Sequence, residues 1–460
     1  MRKMALVLNL IGFGKGILFG SGILISFFLF GCKGVPTGDE TKARESFSSV
    51  SNAFRPSEHR PVLPELTPHS SLSNYLEFAV LNHPDVEAAY YDWNASIERI
   101  TVSRSFPDPK LTFQADIMDS ITSLMPGLMM DLPGPGKRHA AAAVASAVSE
   151  VKYHTFQMRV LQAAFDLKQA YYRFYLLDSK IRVNHQVLDL LTELEKLARV
   201  QNESGKRTLQ DVLKAQIEEE RLRTEIENLE DSRHYLMSQF KAALGMSSES
   251  SNPPVPMQFE MSADTATLKD VLPEALARSP KIKAMEAEVR QAEASLALAG
   301  KARIPDFGVG LEADAKSSPV LYRPQFSSTL PIWRDKLRAQ LMEAQAGKKA
   351  AQARLSNEQI NLAVGVAEKS FLFRENSRNL SLLSERLLPK AHQAMEIARA
   401  GYLSGQSDFL SVIDAERTLL EFELMEAESR SEREINLAEI SLMLVGLPPE
   451  GSLLSTSISK

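Results

Sequence analysis

The stretch GKRTLQDVLKA at residues 205–215 returns as GQSDFLSVIDA at residues 405–415, an offset of 200 positions. Four further landmarks recur in the same order, with offsets that drift only from 196 to 201. They are Leu72 to Pro84 with Leu268 to Pro280, Pro107-Asp108 with Pro305-Asp306, Leu132-Pro133 with Leu330-Pro331, and Leu244-Gly245 with Val445-Gly446. A solenoid has a much shorter period, of about 20–50 residues. The sequence therefore predicts one unit present twice, at residues 71–250 and 267–447, followed by a tail at 448–460.

Each unit is predicted to open with a helix and to continue into two strands. In the first unit, apolar residues step by three and four positions from Leu72 to about Ser105, and Pro107 ends the pattern. Alternation of apolar and polar residues then favours strands at about 110–118 and 124–132. The second unit repeats the alternation, which favours strands at about 306–314 and 322–330. Each pair of strands would form a hairpin.

The remainder of each unit is predicted to consist of long helices. Heptad-like apolar spacing and a near absence of proline favour helices at about 134–203 and 208–245 in the first unit. The corresponding helices of the second unit are predicted at about 332–403 and 408–446. A helix of about 70 residues is ~105 Å long, so it must pack lengthwise on partners.

Glycines and prolines mark the joints between these elements. Gly205 and Gly405 lie in the predicted turns between long helices. Pro133 and Pro331 lie at the predicted strand-to-helix junctions, and Pro389 predicts a kink inside a long helix.

The predicted fold class is mixed and mainly α, with a long antiparallel helical bundle and four alternating strands. Strands of this length and alternation suit a membrane β-barrel, in which the sheet has to close because lipid satisfies no backbone group. Four strands cannot close, since the smallest such barrels need about eight. Copies of the chain must then share one barrel. Two copies would give eight strands and three would give twelve, and the residues alone do not choose between them.

The N-terminal segment predicts export. Arg2, Lys3 and Lys15 precede an apolar run at residues 16–31, which is too short to span a bilayer comfortably but suits a signal core. Gly31-Cys32 resembles the lipobox of bacterial lipoproteins, in which the cysteine is acylated. An ordinary signal peptide with an incidental cysteine is the alternative.

The prediction for the first 70 residues is therefore a signal peptide at 1–31, a lipidation site at Cys32 and an extended polar tether at 32–70. The tether is inferred from its polar, unpatterned composition and its five prolines.

Composition excludes several classes of function. Charged residues make up 24% of the chain and the net charge is only -5, so nucleic acid is not an expected partner. The single cysteine excludes a disulfide within the chain and a cysteine-based metal cluster. We find no catalytic motif, and we expect no enzymatic activity, no cofactor and no resident metal.

Several motifs together resemble the TolC-type outer-membrane efflux protein family, over residues from about 70 to 447. They are Leu330-Pro331-Ile-Trp333, Leu387-Leu388-Pro389-Lys390-Ala391, Tyr402-Leu-Ser-Gly405 and Val412-Ile-Asp-Ala415. The resemblance implies a homotrimer with a twelve-stranded barrel that continues into a periplasmic tunnel of twelve long helices. It also implies a location in the outer membrane of a diderm bacterium. The expected partners are outer-membrane lipid, a periplasmic adaptor and an inner-membrane pump.

The same resemblance nominates residues for a constriction at the helical tips. Asp414 and Tyr402 match positions linked to pore lining and tip closure, and Asp211 is the equivalent acidic position in the first unit. Gly205 and Gly405 would lie in the tip turns that contact the adaptor. Carboxylates from three chains in one ring would repel one another and attract cations.

Structural roles compete with each of these assignments. Asp211 follows Thr208 by three residues, as in a capping box, while Asp414 fits a solvated helix face and Tyr402 fits a packing residue. Ser407 and Ser411 stand where some family members have an arginine and a second aspartate, which puts a salt-bridged lock in doubt.

Two further hypotheses concern cargo and class. The element Gly134-Pro-Gly-Lys-Arg138 fits a strand-to-helix joint, and it also resembles the subgroup that works with heavy-metal pumps. The competing class of protein is a lipid-anchored periplasmic coiled-coil scaffold or adaptor, which would leave the four alternating segments unexplained.

Overall fold

A computed structural model describes residues 34–55, 59, 61–117, 121–205, 208–257, 259–262 and 271–444. The described chain is mainly helical, with one four-stranded antiparallel sheet. Cys32, the signal segment and the tail at 448–460 lie outside the described residues. Among the helices that are described, none is both long and apolar enough to cross a membrane.

The opening helix of each unit is in fact two helices, and here the prediction of one continuous helix was wrong. In the first unit these are α2 (Leu72–Asn82) and α3 (Pro84–Arg104). In the second unit they are α6 (Val271–Arg278) and α7 (Pro280–Lys301). Pro84 and Pro280 start the second helix of each pair because proline suits the first helical position and keeps the preceding residue out of the helical region.

The long helices follow the predicted boundaries closely. The first unit has α4 (Lys137–Glu203) and α5 (Leu209–Ala243), and at 67 residues α4 is about 100 Å long. The second unit has α8 (Arg334–Leu382), α9 (Leu388–Ser404) and α10 (Phe409–Leu444).

The kink expected at Pro389 takes the form of a π-helical turn at Leu383–Leu387, between α8 and α9. Proline cannot donate a backbone hydrogen bond and its ring crowds the carbonyl one turn earlier, so the preceding turn widens.

The four strands are β1 (Lys110–Ile117), β2 (Ile121–Leu132), β3 (Phe307–Asp314) and β4 (Leu321–Ser328). They lie in chain order, and the first unit's hairpin pairs with the second unit's hairpin through β2 and β3. Pro126 is accommodated inside β2 opposite Phe113.

The prediction of an extended tether was wrong for residues 38–54, which form helix α1 (Gly38–Phe54). Phe47 and Phe54 of α1 pack against the rings of Trp93 and Tyr90 on α3, with centroids 5.1 and 5.2 Å apart. Glu40 on α1 receives hydrogen bonds from Arg104 and Thr101 at the end of α3. This segment is therefore a packed part of the fold.

Candidate functional site: the sheet, its joint with the helices, and the helical tip

One face of the sheet is apolar and exposed. The strand pairings place eight exposed apolar side chains on this face: Leu111, Phe113, Leu124, Leu128, Val309, Leu311, Tyr322 and Phe326. Phe113 is 68% exposed and Phe326 is 71% exposed. A sheet in a water-soluble domain covers its apolar face, so this exposed face marks a surface that meets another apolar phase.

The opposite face of the sheet is mainly polar. Glu312 and Asp314 lie on it and are buried, and Arg323 forms an ion pair with Asp314 at 3.6 Å. Ser123 donates a hydrogen bond to Asp116 at 2.7 Å on the same face. Met125, opposite Gln114, is a buried apolar exception. The sheet thus exposes an apolar face and carries its polar groups on the opposite face.

A compact joint connects this sheet to the long helices. Asp306, just before β3, accepts hydrogen bonds from the backbone N–H of Gly134 at 2.7 Å and from Nζ of Lys137 at 2.8 Å. Although burial opposes it, these two donors hold the pKa of Asp306 below its usual value. A Cβ on Gly134 would lie only 2.3 Å from the Pro305 carbonyl oxygen, so the close approach requires glycine.

The rest of the Gly134 to Arg138 element is also structural. Arg138 donates to the carbonyl of Arg104 at 3.0 Å and stacks over the Phe106 ring at 3.3 Å. Pro133 lies directly after β2 and three residues before the left-handed Gly136 that precedes α4. Pro331 occupies the corresponding link between β4 and α8.

At the far end of the helices, the predicted tip residues occupy different environments. Tyr402 is fully buried in a cluster with Phe409, Val412 and Leu191, whereas Asp414 is exposed and Asp211 is partly buried. Gly205 and Gly405 have φ angles of 70° and 77°, so both turns use the left-handed conformation that favours glycine.

Helix capping at the two tips differs. Thr208 precedes α5 but its side chain makes no capping hydrogen bond, so the capping box considered for Asp211 does not form. On the second tip Asp408 accepts hydrogen bonds from the backbone N–H of Ser411 at 3.1 Å and from its hydroxyl. Ser411 therefore takes part in the cap at the start of α10. In some family members an aspartate stands at this position, where it would belong to a salt-bridged lock.

Sequence reasoning missed Glu416, one turn beyond Val412 on α10. Its side chain is 3% exposed, and burial together with the nearby Glu218 carboxylate raises the pKa of Glu416 to about 8. It lines a groove of about 570 Å³ between α4, α5 and α10. Periodicity could not single it out, because most glutamates at helical spacing are solvated.

Comparison with known proteins is consistent with this geometry. Residues 271–445 match the model of the family described as outer membrane efflux protein. The second unit of the chain is therefore similar to this outer membrane efflux family. The family match covers the second unit, and the first unit is its internal repeat.

Individual relatives extend the likeness over most of the chain. The cobalt-zinc-cadmium resistance protein CzcC of Cupriavidus metallidurans is 22% identical over 366 residues, which cover 78% of this chain and 87% of that protein. The outer membrane protein VceC of Vibrio cholerae has a TM-score of 0.68 at 17% identity, covering 82% of this chain and 97% of VceC. The open state of the MtrE outer membrane channel of Neisseria gonorrhoeae has a TM-score of 0.69 at 17% identity, covering 83% of this chain and 90% of MtrE. At these identities the two structures establish that the chain shares the fold of VceC and MtrE.

Proposed function

We propose that this chain is one protomer of an outer-membrane efflux duct, which passively conducts exported solutes from the periplasm to the exterior. The observation that carries the proposal is the sheet, whose one face is apolar and exposed and whose opposite face is mainly polar. In a membrane barrel the apolar face meets lipid and the polar face lines an aqueous lumen.

The assembly follows from the open sheet. Its two edge strands, β1 and β4, leave backbone groups that lipid cannot satisfy. Three copies would close a twelve-stranded barrel, as the family resemblance implies. The helices of ~100 Å would then extend the lumen as a tunnel into the periplasm, toward an adaptor and an inner-membrane pump that supplies the energy.

A lipid anchor at Cys32 fits the position of the first described residues. Gly34 lies against the Arg104 side chain, at the end of α3 nearest the sheet. Metabolic labelling with palmitate tests the anchor: the wild-type protein should be labelled and Cys32→Ser should not. Equal labelling of both would contradict acylation at this residue.

We further propose metal cations as the cargo class. Two observations support this: the resemblance of Gly134-Pro-Gly-Lys-Arg138 to the heavy-metal subgroup, and the match to a relative named for cobalt, zinc and cadmium resistance. Deletion of the gene should then sensitise cells to divalent metals more than to dyes, detergents or antibiotics. Sensitivity confined to organic compounds would contradict a metal cargo while leaving the duct intact.

The duct itself is tested by two adjacent substitutions in β1. Phe113→Arg places a charge on the exposed apolar face, where it costs about 2–4 kcal/mol in the bilayer midplane, whereas Gln114→Arg places it on the polar face. The first should lower the amount of protein that resists urea extraction from membranes, and the second should not. A lipid-anchored scaffold or adaptor, whose strands do not enter the bilayer, would tolerate both substitutions equally.

A further inference from the structure

A groove near the second helical tip contains two buried polar side chains that have no hydrogen-bonding partner. Glu416 on α10 and Asn184 on α4 are each 3% exposed, and both line the groove of about 570 Å³ between α4, α5 and α10. Oε1 of Glu416 is buried without a hydrogen bond, and among the residues that the structure describes the Asn184 amide is bonded to none. Buried polar groups nearly always have a partner, so two such groups in one groove indicate that a ligand supplies it.

The remaining wall of the groove is largely apolar. Val187 and Leu191 of α4, Leu222 of α5 and Ile413 of α10 line it and are buried, and Leu420 continues the lining. Clefts of about 300–1,000 Å³ with apolar walls and a few convergent polar groups are typical of sites for small organic molecules. The size and the lining therefore favour an organic ligand with an apolar body.

The charge of the groove favours a cation, because five acidic and three basic side chains line it. The acidic side chains are Glu218 and Glu225 on α5 and Glu416, Glu421 and Glu428 on α10. The basic side chains are Lys180 on α4, Arg221 on α5 and Arg417 on α10. Arg417 forms an ion pair with Glu218, so the guanidinium next to Glu416 along the chain is already engaged.

A metal ion fits the groove less well than an organic cation. Calcium and magnesium take about six to eight oxygen ligands. Over the described part of the chain, no cluster of three or more histidine, cysteine, aspartate or glutamate side chains is arranged to hold a metal. Glu416 and Asn184 instead offer oxygen acceptors from two helices, which suit the N–H donors of an ammonium group.

We propose that this groove binds a small amphipathic amine, whose ammonium group donates hydrogen bonds to the carboxylate of Glu416 and to the amide oxygen of Asn184. The apolar body of the amine would lie against Leu191, Leu222 and Ile413. The site lies within one chain, so it does not depend on the assembly proposed above. Its ligand also differs in class from the metal cargo.

The bound cation would offset the cost of burying Glu416. In the empty groove, burial and the Glu218 carboxylate raise the pKa of Glu416 to about 8, so the group is mainly protonated at neutral pH. An ammonium group within hydrogen-bonding distance stabilises the carboxylate and lowers this pKa. Binding at pH 7 should therefore release a proton, whereas at pH 8.5 the carboxyl is already largely ionised and binding should be tighter.

Isothermal titration calorimetry of the full-length protein in a non-ionic detergent at pH 8.5 tests the site. The probes are 2-phenylethylamine, which is a cation at this pH, and 2-phenylethanol, which has the same ring and chain but no charge. The wild-type protein should bind the amine at least about tenfold more tightly than the alcohol, because a hydrogen bond to a charged group is stronger than one between neutral groups.

Substitutions separate the two polar groups of the site. Glu416→Gln keeps the shape of the side chain and should weaken binding of the amine by about thirtyfold or more, because the ammonium ion loses its carboxylate. Binding of the alcohol should not change. Asn184→Leu should weaken binding of the amine by roughly tenfold. Glu432 is an exposed carboxylate of α10 outside the groove, and Glu432→Gln should bind the amine like the wild type.

Thermal unfolding gives a second readout and shows that each variant is folded. The amine should raise the melting temperature of the wild type, since it binds only the folded chain, and should not raise that of Glu416→Gln. Equal affinity of the wild type and a folded Glu416→Gln variant for the amine would overturn the site. Absence of binding by the wild-type oligomer would also overturn it, as expected if another copy filled the groove. Both results would leave the proposed duct standing.

Discussion

Tyr402 packs edge-on against Phe409 across the turn at Gly405, with the two ring centroids 5.5 Å apart. Tyr402 is fully buried, so it holds the second helical tip together, and a role in tip closure stays a proposal beside this packing role. Tyr402→Ala should destabilise each chain by about 3–5 kcal/mol, because it leaves a cavity of ring size. Thermal unfolding followed by circular dichroism measures the loss.

Tyr402→Phe separates packing from closure. It keeps the ring and should unfold near the wild-type temperature. If the hydroxyl contributes to closure, the phenylalanine variant should admit large hydrophilic antibiotics and raise the open fraction in planar bilayers. Wild-type currents from a stable phenylalanine variant would leave Tyr402 a packing residue only.

Asp414 is exposed near the start of α10, as a pore-lining carboxylate should be. We predict that Asp414→Ala weakens block by divalent cations in planar bilayers, because three carboxylates in one ring concentrate cations. Asp211→Ala should have a smaller effect, since Asp211 is partly buried. Glu432→Ala removes an exposed carboxylate farther along α10 and serves as the control. Unchanged block in both aspartate variants would remove them from the pore.

The packing of α1 against α3 should be weakened at low pH. Burial alone would raise the pKa of Glu40, but hydrogen bonds from Arg104, Thr101 and Arg44 lower it to about 2. A carboxyl with a depressed pKa stabilises the fold above its unfolded value, and the stabilisation is lost as pH falls from about 4.5 toward 2. Glu40→Gln should remove about 2 kcal/mol at pH 7. Trp93 fluorescence, read in a Trp333→Phe background, reports detachment because Phe47 covers the indole.

The control for this prediction lies on the same helix. Glu45 is exposed on α1, and Glu45→Gln should leave the acid transition of Trp93 unchanged. If Glu40→Gln showed the same acid transition as the wild type, Glu40 would not be the group that controls it.

The contribution of Glu416 to stability should depend on pH in the opposite sense to that of Glu40. Because burial and Glu218 raise its pKa to about 8, the folded chain opposes its ionisation. The cost is absent below the unfolded pKa of about 4.5 and grows as pH rises to about 8. Glu416→Gln should therefore raise the melting temperature more at pH 8 than at pH 5. Glu421 is an exposed neighbour, and Glu421→Gln should leave the melting temperature unchanged at both pH values. A gain that is equal at both pH values would mean that ionisation is not its source.

The repeat, the strands and the long helices could be predicted because each rests on a pattern along the chain. The strands match to within about three residues at their ends, as expected for pattern-based boundaries. Helix α1 was missed although Ala43, Phe47, Val50 and Phe54 have helical spacing, because the polar composition of residues 32–70 outweighed four apolar positions.

Other features depend on neighbours that no local pattern reveals. Glu416 resembles any solvated glutamate until α4 and α5 are placed beside α10. The Asp306 joint with Gly134 and Lys137 joins residues about 170 positions apart, so only the folded sheet brings them together. The fold was therefore more accessible to sequence reasoning than the residues that act in it.

A single chain with this sheet has no environment that suits both its exposed apolar face and its unpaired strand edges. Water would contact the bare face that carries Phe113 and Phe326, while lipid would contact the unpaired backbone of β1 and β4. Each phase thus penalises the lone protomer in a different way, and joining other copies inside the bilayer removes both penalties together. Biogenesis should couple insertion to association in one step, and the yield of mature protein should fall steeply when expression limits the supply of chains.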